Sequence, residues 1–246
     1  MVVSARMAAI DPEAVRSALV ARFRAEGDAT RAKSQQAYMK TTMPFWGLSN
    51  AEGRKICLEV FKQFPVTTKQ NWLAVARYLW RKADHREEWL AVIEWTGLRA
   101  AREWQQADVL PLYEEMITSS SWWDTVDAIA AHRVGTLLKN EPSKLKPMLL
   151  KWAKDDHLWK RRTAILSQLT FKADTDLDFL FATMKPSLER KEFWLRKAIG
   201  WALRQQAEFN EAEVLAFVRA HKDVLSGLTK REALKHYPEK VRGPIL

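Results

Sequence analysis

Apolar residues recur at intervals of three and four along almost the whole chain, and no segment alternates apolar with polar residues as a half-buried strand does. That periodicity lines up one face of a helix and leaves a sheet nothing to bury. With only 8 glycines in 246 residues, few positions interrupt it. The fold class it dictates is all-α. Helix starts are marked by Asp11-Pro12-Glu13, where Asp11 caps and proline fills the first turn, and by two capping boxes, Ser49-Asn50-Ala51-Glu52 and Ser121-Trp122-Trp123-Asp124. Breaks fall near Gly27, Pro44 to Gly47, Pro65, Gly97, Pro111, Pro142, Asp155, Asp174 to Asp176, Pro186, Asn210 and Gly227. Taken in pairs, the intervening segments give a period of roughly 35 to 45 residues, the size of a two-helix solenoid repeat. The repeats share little sequence, so the spacing fits an irregular bundle as well as a HEAT-like array. A stacked array would curve, and its concave face could receive a rod such as duplex DNA.

A chain of this length, 47% hydrophobic, can bury one substantial core, so residues 11–246 are expected as one domain after a flexible tail, 1–10. The segment from Met1 to Ile10 holds Arg6 but no apolar run long enough for a signal peptide, and no later window approaches the ~20 apolar residues of a membrane span. Cys57 is the single cysteine and no Cys/His spacing resembles a zinc site, so neither metal nor cofactor is expected, and the location is expected to be cytoplasmic. Forty Lys and Arg against thirty Asp and Glu leave a formal charge of +10. That balance favours an anionic partner, nucleic acid ahead of a membrane surface. The 12 tryptophans exceed what a helical domain needs for packing, and several adjoin cations, as in Trp80-Arg81 and Trp194-Leu195-Arg196-Lys197.

Three stretches hold residues that could carry chemistry. After Ser121, Asp124 falls where a capping box explains it, but Asp127 does not. It lies four residues after Trp123, so carboxylate and indole share a face, with Ala130 and Ala131 leaving room in front. The bland alternative is an aspartate favoured by the helix dipole in an early turn. In Leu158 to Leu169, the apolar residues 158, 159, 165, 166 and 169 define a buried stripe with Arg162 on its axis and Arg161 off it. A buried guanidinium needs a carboxylate, a carbonyl or a phosphate, so Arg162 is either a structural partner of a residue such as Asp127 or a phosphate clamp. In Lys191 to Arg204, the core stripe Leu195, Ala198, Ile199, Ala202 and Leu203 displaces Trp201 toward Lys197 and Arg204. An indole between two cations suits a nucleic-acid surface, or else covers the core edge. Gly200, unfavourable inside a helix, suggests a close approach there. Tyr38 and Lys40 end an early helix, while Lys230, Arg231 and Lys235 lie in a late one capped by Ser226 or Thr229; both could set cations against phosphates or remain solvated.

In this order these residues resemble the AlkD-like family of DNA alkylation-repair glycosylases. The similarity runs from about Ala37 to His236, through Tyr38-Met39-Lys40, Ser121 to Asp127, Trp159 to Leu169, Lys197 to Trp201 with Leu203-Arg204, and Lys230 to Ala233. The resemblance implies a superhelix of HEAT-like helical pairs with double-stranded DNA in a basic concave groove, and excision of cationic N3- or N7-alkylated purines without a metal. It implies further that Asp127 is the catalytic carboxylate, Trp123 and Trp201 aromatic walls completed by Tyr38, and Arg162 their neighbour on DNA. Such a protein would act as a monomer. The first thirty residues and the Met43 to Gly47 loop depart from the family pattern. A catalytically silent binder of damaged or branched DNA would share charge and groove. A helical-repeat scaffold for protein partners would share the fold without a reason for Asp127, Arg162 and Trp201 to occur together.

Overall fold

The Asp11 carboxylate accepts from the Glu13 amide at 3.0 Å and Pro12 occupies the first turn, so the first helix starts where the sequence places it. A computed structural model describes residues 9–246; the expected tail, 1–10, therefore falls almost wholly outside the described residues. Among the described residues the regular structure is helical throughout, in fifteen α-helices with short 3₁₀ turns, and no helix is long and apolar enough to cross a membrane. Contacts within the chain divide it into two compact units, one running to Trp104 and the other from Gln105 to Leu246.

The first unit comprises α1 (Pro12–Glu26), α2 (Ala29–Met39), α3 (Asn50–Phe61), α4 (Lys69–Lys82) and α5 (Arg86–Thr96). Its core is built from Val15, Leu19, Phe23, Ile56, Val60, Trp72, Val75, Val92 and Trp95. Trp72 and Trp95 bind each other reciprocally, each indole N–H donating to the other's carbonyl at 3.2 and 3.1 Å, so both polar tips are satisfied in an apolar interior. Trp80, whose neighbour Arg81 suggests a nucleic-acid surface, is 4% exposed and stacks on Trp89 at 5.1 Å. Much of the tryptophan excess is thus packing. The Ser49–Glu52 capping box forms as read. The buried Glu87 carboxylate accepts from the amides of Trp46, Gly47 and Leu48 and pins the loop before α3. At Gly47, with φ 87°, a Cβ would lie 1.9 Å from the Asp28 carbonyl, so only glycine fits.

The second unit comprises α6 (Leu110–Ser120), α7 (Trp123–Ile129), α8 (Gly135–Asn140), α9 (Pro142–Trp152), α10 (Leu158–Leu166), α11 (Leu177–Met184), α12 (Phe193–Ala207), α13 (Glu211–Ala220), α14 (Gly227–Ala233) and α15 (Glu239–Arg242). A π-helical turn, Ala130–Val134, joins α7 to α8 without a loop. Val126, Ala130, Val134 and Leu138 are all buried at a uniform spacing of four. In an α-helix each such step drifts about 40° around the axis, and the wider turn takes back roughly one residue's rotation, keeping the four on one side.

α10 lies at the centre, packed by α6, α7, α9, α11 and α12, and every residue from Arg161 to Gln168 is buried. The two-sided stripe expected for this helix is therefore corrected: no outward face exists, and Arg161 is buried as well as Arg162. Arg161 donates to the carbonyls of Ala153, Lys154, Asp155 and Pro186 and to the Ser187 hydroxyl, clamping the end of α9 to the turn before α12. Carbonyl dipoles meet its desolvation cost where no carboxylate does. The stripe read for α12 is buried at each of Leu195, Ala198, Ile199, Ala202 and Leu203.

Candidate active site

Only Ser121 and Trp122 separate α6 from α7, and that brevity decides the local chemistry. Ser121 ends α6 with φ 43°, its hydroxyl donating back to the Thr118 carbonyl at 2.7 Å. The capping box expected at Ser121 is accordingly absent. Trp122, in an extended conformation, is the residue that precedes α7, and its carbonyl accepts from the Val126 amide and the Thr125 hydroxyl. The shift places Trp123 at the first helical position and Asp127 just over one turn on, facing α10.

There Asp127 meets Arg162. Arg162 Nε donates to Asp127 Oδ1 and Nη2 to Oδ2, both at 2.7 Å, a two-pronged pairing that fixes carboxylate and guanidinium in one plane. Nη1 donates to the main-chain carbonyl of Trp194, so the guanidinium is held from α7 and α12 at once. The Arg162 side chain is 4% exposed and that of Asp127 14%, leaving the carboxylate as the member of the pair open to a reactant. Burial pushes the Asp127 carboxyl above the usual aspartate range, and the Arg162 fork opposes that push.

A cluster of aromatic rings adjoins the pair through Trp194. Trp194 lies 5.7 Å from the Arg162 guanidinium, stacks on Trp123 at 6.3 Å and 23°, and meets Trp122 edge-on at 5.7 Å. Trp159 closes behind at 6.0 Å from Trp194, while Phe193 stands edge-on to Trp194 and is 53% exposed. Trp201 follows Trp194 by seven residues, two turns along α12 on the same face, half-buried against the core. Sequence reasoning missed Trp194, Trp122 and Trp159 as parts of this cluster. The available signal was the Trp194–Trp201 spacing; the role of Trp194 through its carbonyl has no signature in side-chain pattern.

The remaining candidates fall elsewhere. Lys197 and Arg204 both bind Glu232 of α14 rather than flanking the indole of Trp201 freely. Ser226, not Thr229, caps α14, accepting from the Thr229 amide at 3.1 Å. The helix ends at Ala233, so half-buried Lys230 and exposed Arg231 sit in its final turns and Lys235 beyond it. Tyr38, 75% exposed, and Lys40, which closes α2 with φ 50°, belong to the first unit. Among the described residues no group of three or more His, Cys, Asp or Glu side chains could hold a metal ion.

A family model described as DNA alkylation repair enzyme matches residues 19–237. The fold is similar to that of a solved structure described as a predicted DNA alkylation repair enzyme from Enterococcus faecalis, with a TM-score of 0.77 and 23% identity over 87% of this chain and 97% of that one. A search of curated proteins found no match.

Proposed function

The chain belongs to the DNA alkylation repair enzyme family, and from that membership we propose that it is a glycosylase hydrolysing the N-glycosidic bond of cationic N3- and N7-alkylated purines in double-stranded DNA. The observation that carries this reading is the Asp127 carboxylate, oriented by the buried Arg162, whose guanidinium lies against Trp194 in its stack with Trp123. An alkylated purine already bears positive charge and departs as a neutral base, so its loss asks for no proton donor and no Lewis acid. What must be stabilised is the oxocarbenium character growing on the deoxyribose, and a fixed negative charge beside the sugar does that.

The fork engages one edge of the carboxylate and leaves its other lone pairs for the sugar and for an attacking water. Because Arg162 and its neighbours are preorganised, little reorganisation accompanies the charge change. Indole faces favour cationic neighbours, which would select a charged alkylated nucleotide over an undamaged one. In this reading Trp201 supplies a second wall and Tyr38 a further aromatic contact to DNA, Lys40, Lys197, Arg204, Lys230, Arg231 and Lys235 serve phosphates, and the chain acts as a monomer.

Incubation with N-methylated duplex DNA tests the proposal through two products, free methylated base and alkali-labile sites in the strand. Both should accumulate together. Tight binding without released base would make the protein a silent binder of DNA, and absence of both would leave a scaffold for other partners.

A further inference from the structure

Lys197, Gly200 and Arg204 follow one another at three and four residues and form a single ridge along α12, and the middle of that ridge is bare. α14 closes onto the notch: a Cβ on Gly200 would lie 2.6 Å from Glu232 Cβ and 2.9 Å from the Thr229 carbonyl. The Glu232 side chain enters through it. Oε1 accepts from Lys197 Nζ at 2.7 Å and Oε2 from Arg204 Nη1, so one carboxylate spans two cations a turn to either side. Lys197, the first influence, and then Arg204 hold this carboxyl below the usual glutamate range. The cluster is not sealed: the side chains of Lys197, Arg204 and Glu232 are 35, 22 and 21% exposed. Two cations on one carboxylate leave a positive charge over, beside the half-buried Trp201.

An ammonium and a guanidinium converging on one oxyanion is also how proteins hold a phosphodiester. We propose that Glu232 stands in for a DNA phosphate: its carboxylate occupies the Lys197–Arg204 pair in the free protein, and a phosphodiester of the duplex displaces it on binding. This rests on the reading of the chain as a DNA-acting enzyme. The exchange trades one oxyanion for another, and the released carboxylate passes into water that it already touches. Its effect is to lower affinity for duplex DNA as a whole, because every binding event must break the Glu232 contacts, and thereby to hasten departure from undamaged sites.

Binding of a labelled, undamaged duplex to wild type and to Glu232→Gln, followed by fluorescence anisotropy across a salt series, tests this. The variant should bind about three- to tenfold more tightly at low salt, with a log–log salt slope like that of wild type, because the same phosphate engages the Lys197–Arg204 pair in both. Unchanged affinity would make Glu232 a staple between α12 and α14, a slope steeper by about 0.9 would mean that a phosphate reaches the pair only when the carboxylate is gone, and weaker binding would make it a holder of cations for DNA; each overturns the proposal. If Glu232→Gln does not fold, the Arg204 Nε–H resonance of wild type, assigned through Arg204→Lys, should shift when the duplex is added, and its constancy counts against displacement. Wild type that binds no duplex at any salt removes the DNA reading and the inference with it. Wild type that binds and excises, beside an unaltered Glu232→Gln, removes the inference alone.

Discussion

Asp127 and Arg162 satisfy each other in a place with little water, and this mutual dependence sets what substitution does. Asp127→Asn removes the charge proposed to face the oxocarbenium ion, so excision should slow by roughly 10² or more, about 2.7 kcal/mol in the barrier. It also leaves a buried guanidinium without its counter-ion, at a cost of about 3 to 5 kcal/mol in stability. Single-turnover base release is therefore to be measured at a temperature where circular dichroism shows both proteins folded. Duplex affinity should hold or rise, and Asp124→Asn should leave chemistry largely intact. A folded Asp127→Asn that excises at the wild-type rate ends the carboxylate mechanism. The same environment fixes a pH dependence. Burial raises the Asp127 carboxyl, the active form is the ionised one, and protonation removes it; excision should fall on the acid side with an apparent pKa above the ordinary ~3.9. An acid limb at or below that value in a rate profile on pre-bound DNA would mean that another group limits the reaction. Arg162 was legible in the sequence because a charge on a buried stripe demands a partner, and Asp127 because a helix cap leaves it unexplained on the face of Trp123. Arg161 was not, since its partners are carbonyls set by tertiary packing, and Trp194 acts through a main-chain oxygen.

Two glycines inside helices separate intrinsic propensity from packing. Gly53 in α3 has nothing within 4 Å of a would-be Cβ, so Gly53→Ala should stabilise by about 0.5 to 1 kcal/mol. Gly200→Ala gains the same propensity but drives a methyl against the Thr229 carbonyl and Glu232 Cβ, and should destabilise by about 1 to 3 kcal/mol as α14 is pushed away. Urea midpoints of the two variants should move in opposite directions. Equal shifts would show that α14 does not bear on α12. The sequence flagged Gly200 through its cost in a helix, although what approaches it comes from 32 residues downstream. Helix starts were legible where a loop precedes them, as at Asp11 and Ser49. They were misjudged at Ser121, where two helices nearly abut and one serine cannot end the first and cap the second.

The +10 charge is spread over the chain and bears on association more than on folding. If duplex binding rests chiefly on phosphates, affinity should fall by about 0.9 log units per log of salt for each phosphate neutralised, with little dependence on undamaged sequence. Anisotropy titrations from low to physiological salt measure the slope, and a flat response would point to a protein partner instead. The all-helical class follows from periodicity, which is a property of each segment alone. The division after Trp104 has no such mark: no run of Gly, Pro or Ser lies there, the chain passes through 3₁₀ turns at Arg99–Trp104 and Ala107–Val109, and Gln105 itself is buried. Packing between distant segments defines that division.

The π-helical turn between Asp127 and α8 works as a phase adjuster. A helix keeps one rotational register from end to end, so a residue added or removed anywhere turns all that follows by about 100° relative to all that precedes. Residues 130–134 absorb one such step. Asp127 can therefore face Arg162 on one side of the turn while Gly135 presses toward the Ser167 carbonyl on the other, where a Cβ would come within 2.7 Å. Deleting a single residue there would tighten the turn to α and force a choice between the two registers. The carboxylate would keep its guanidinium only if Val134 and Leu138 gave up the core, and this makes the length of the segment a stricter requirement than the identity of its residues.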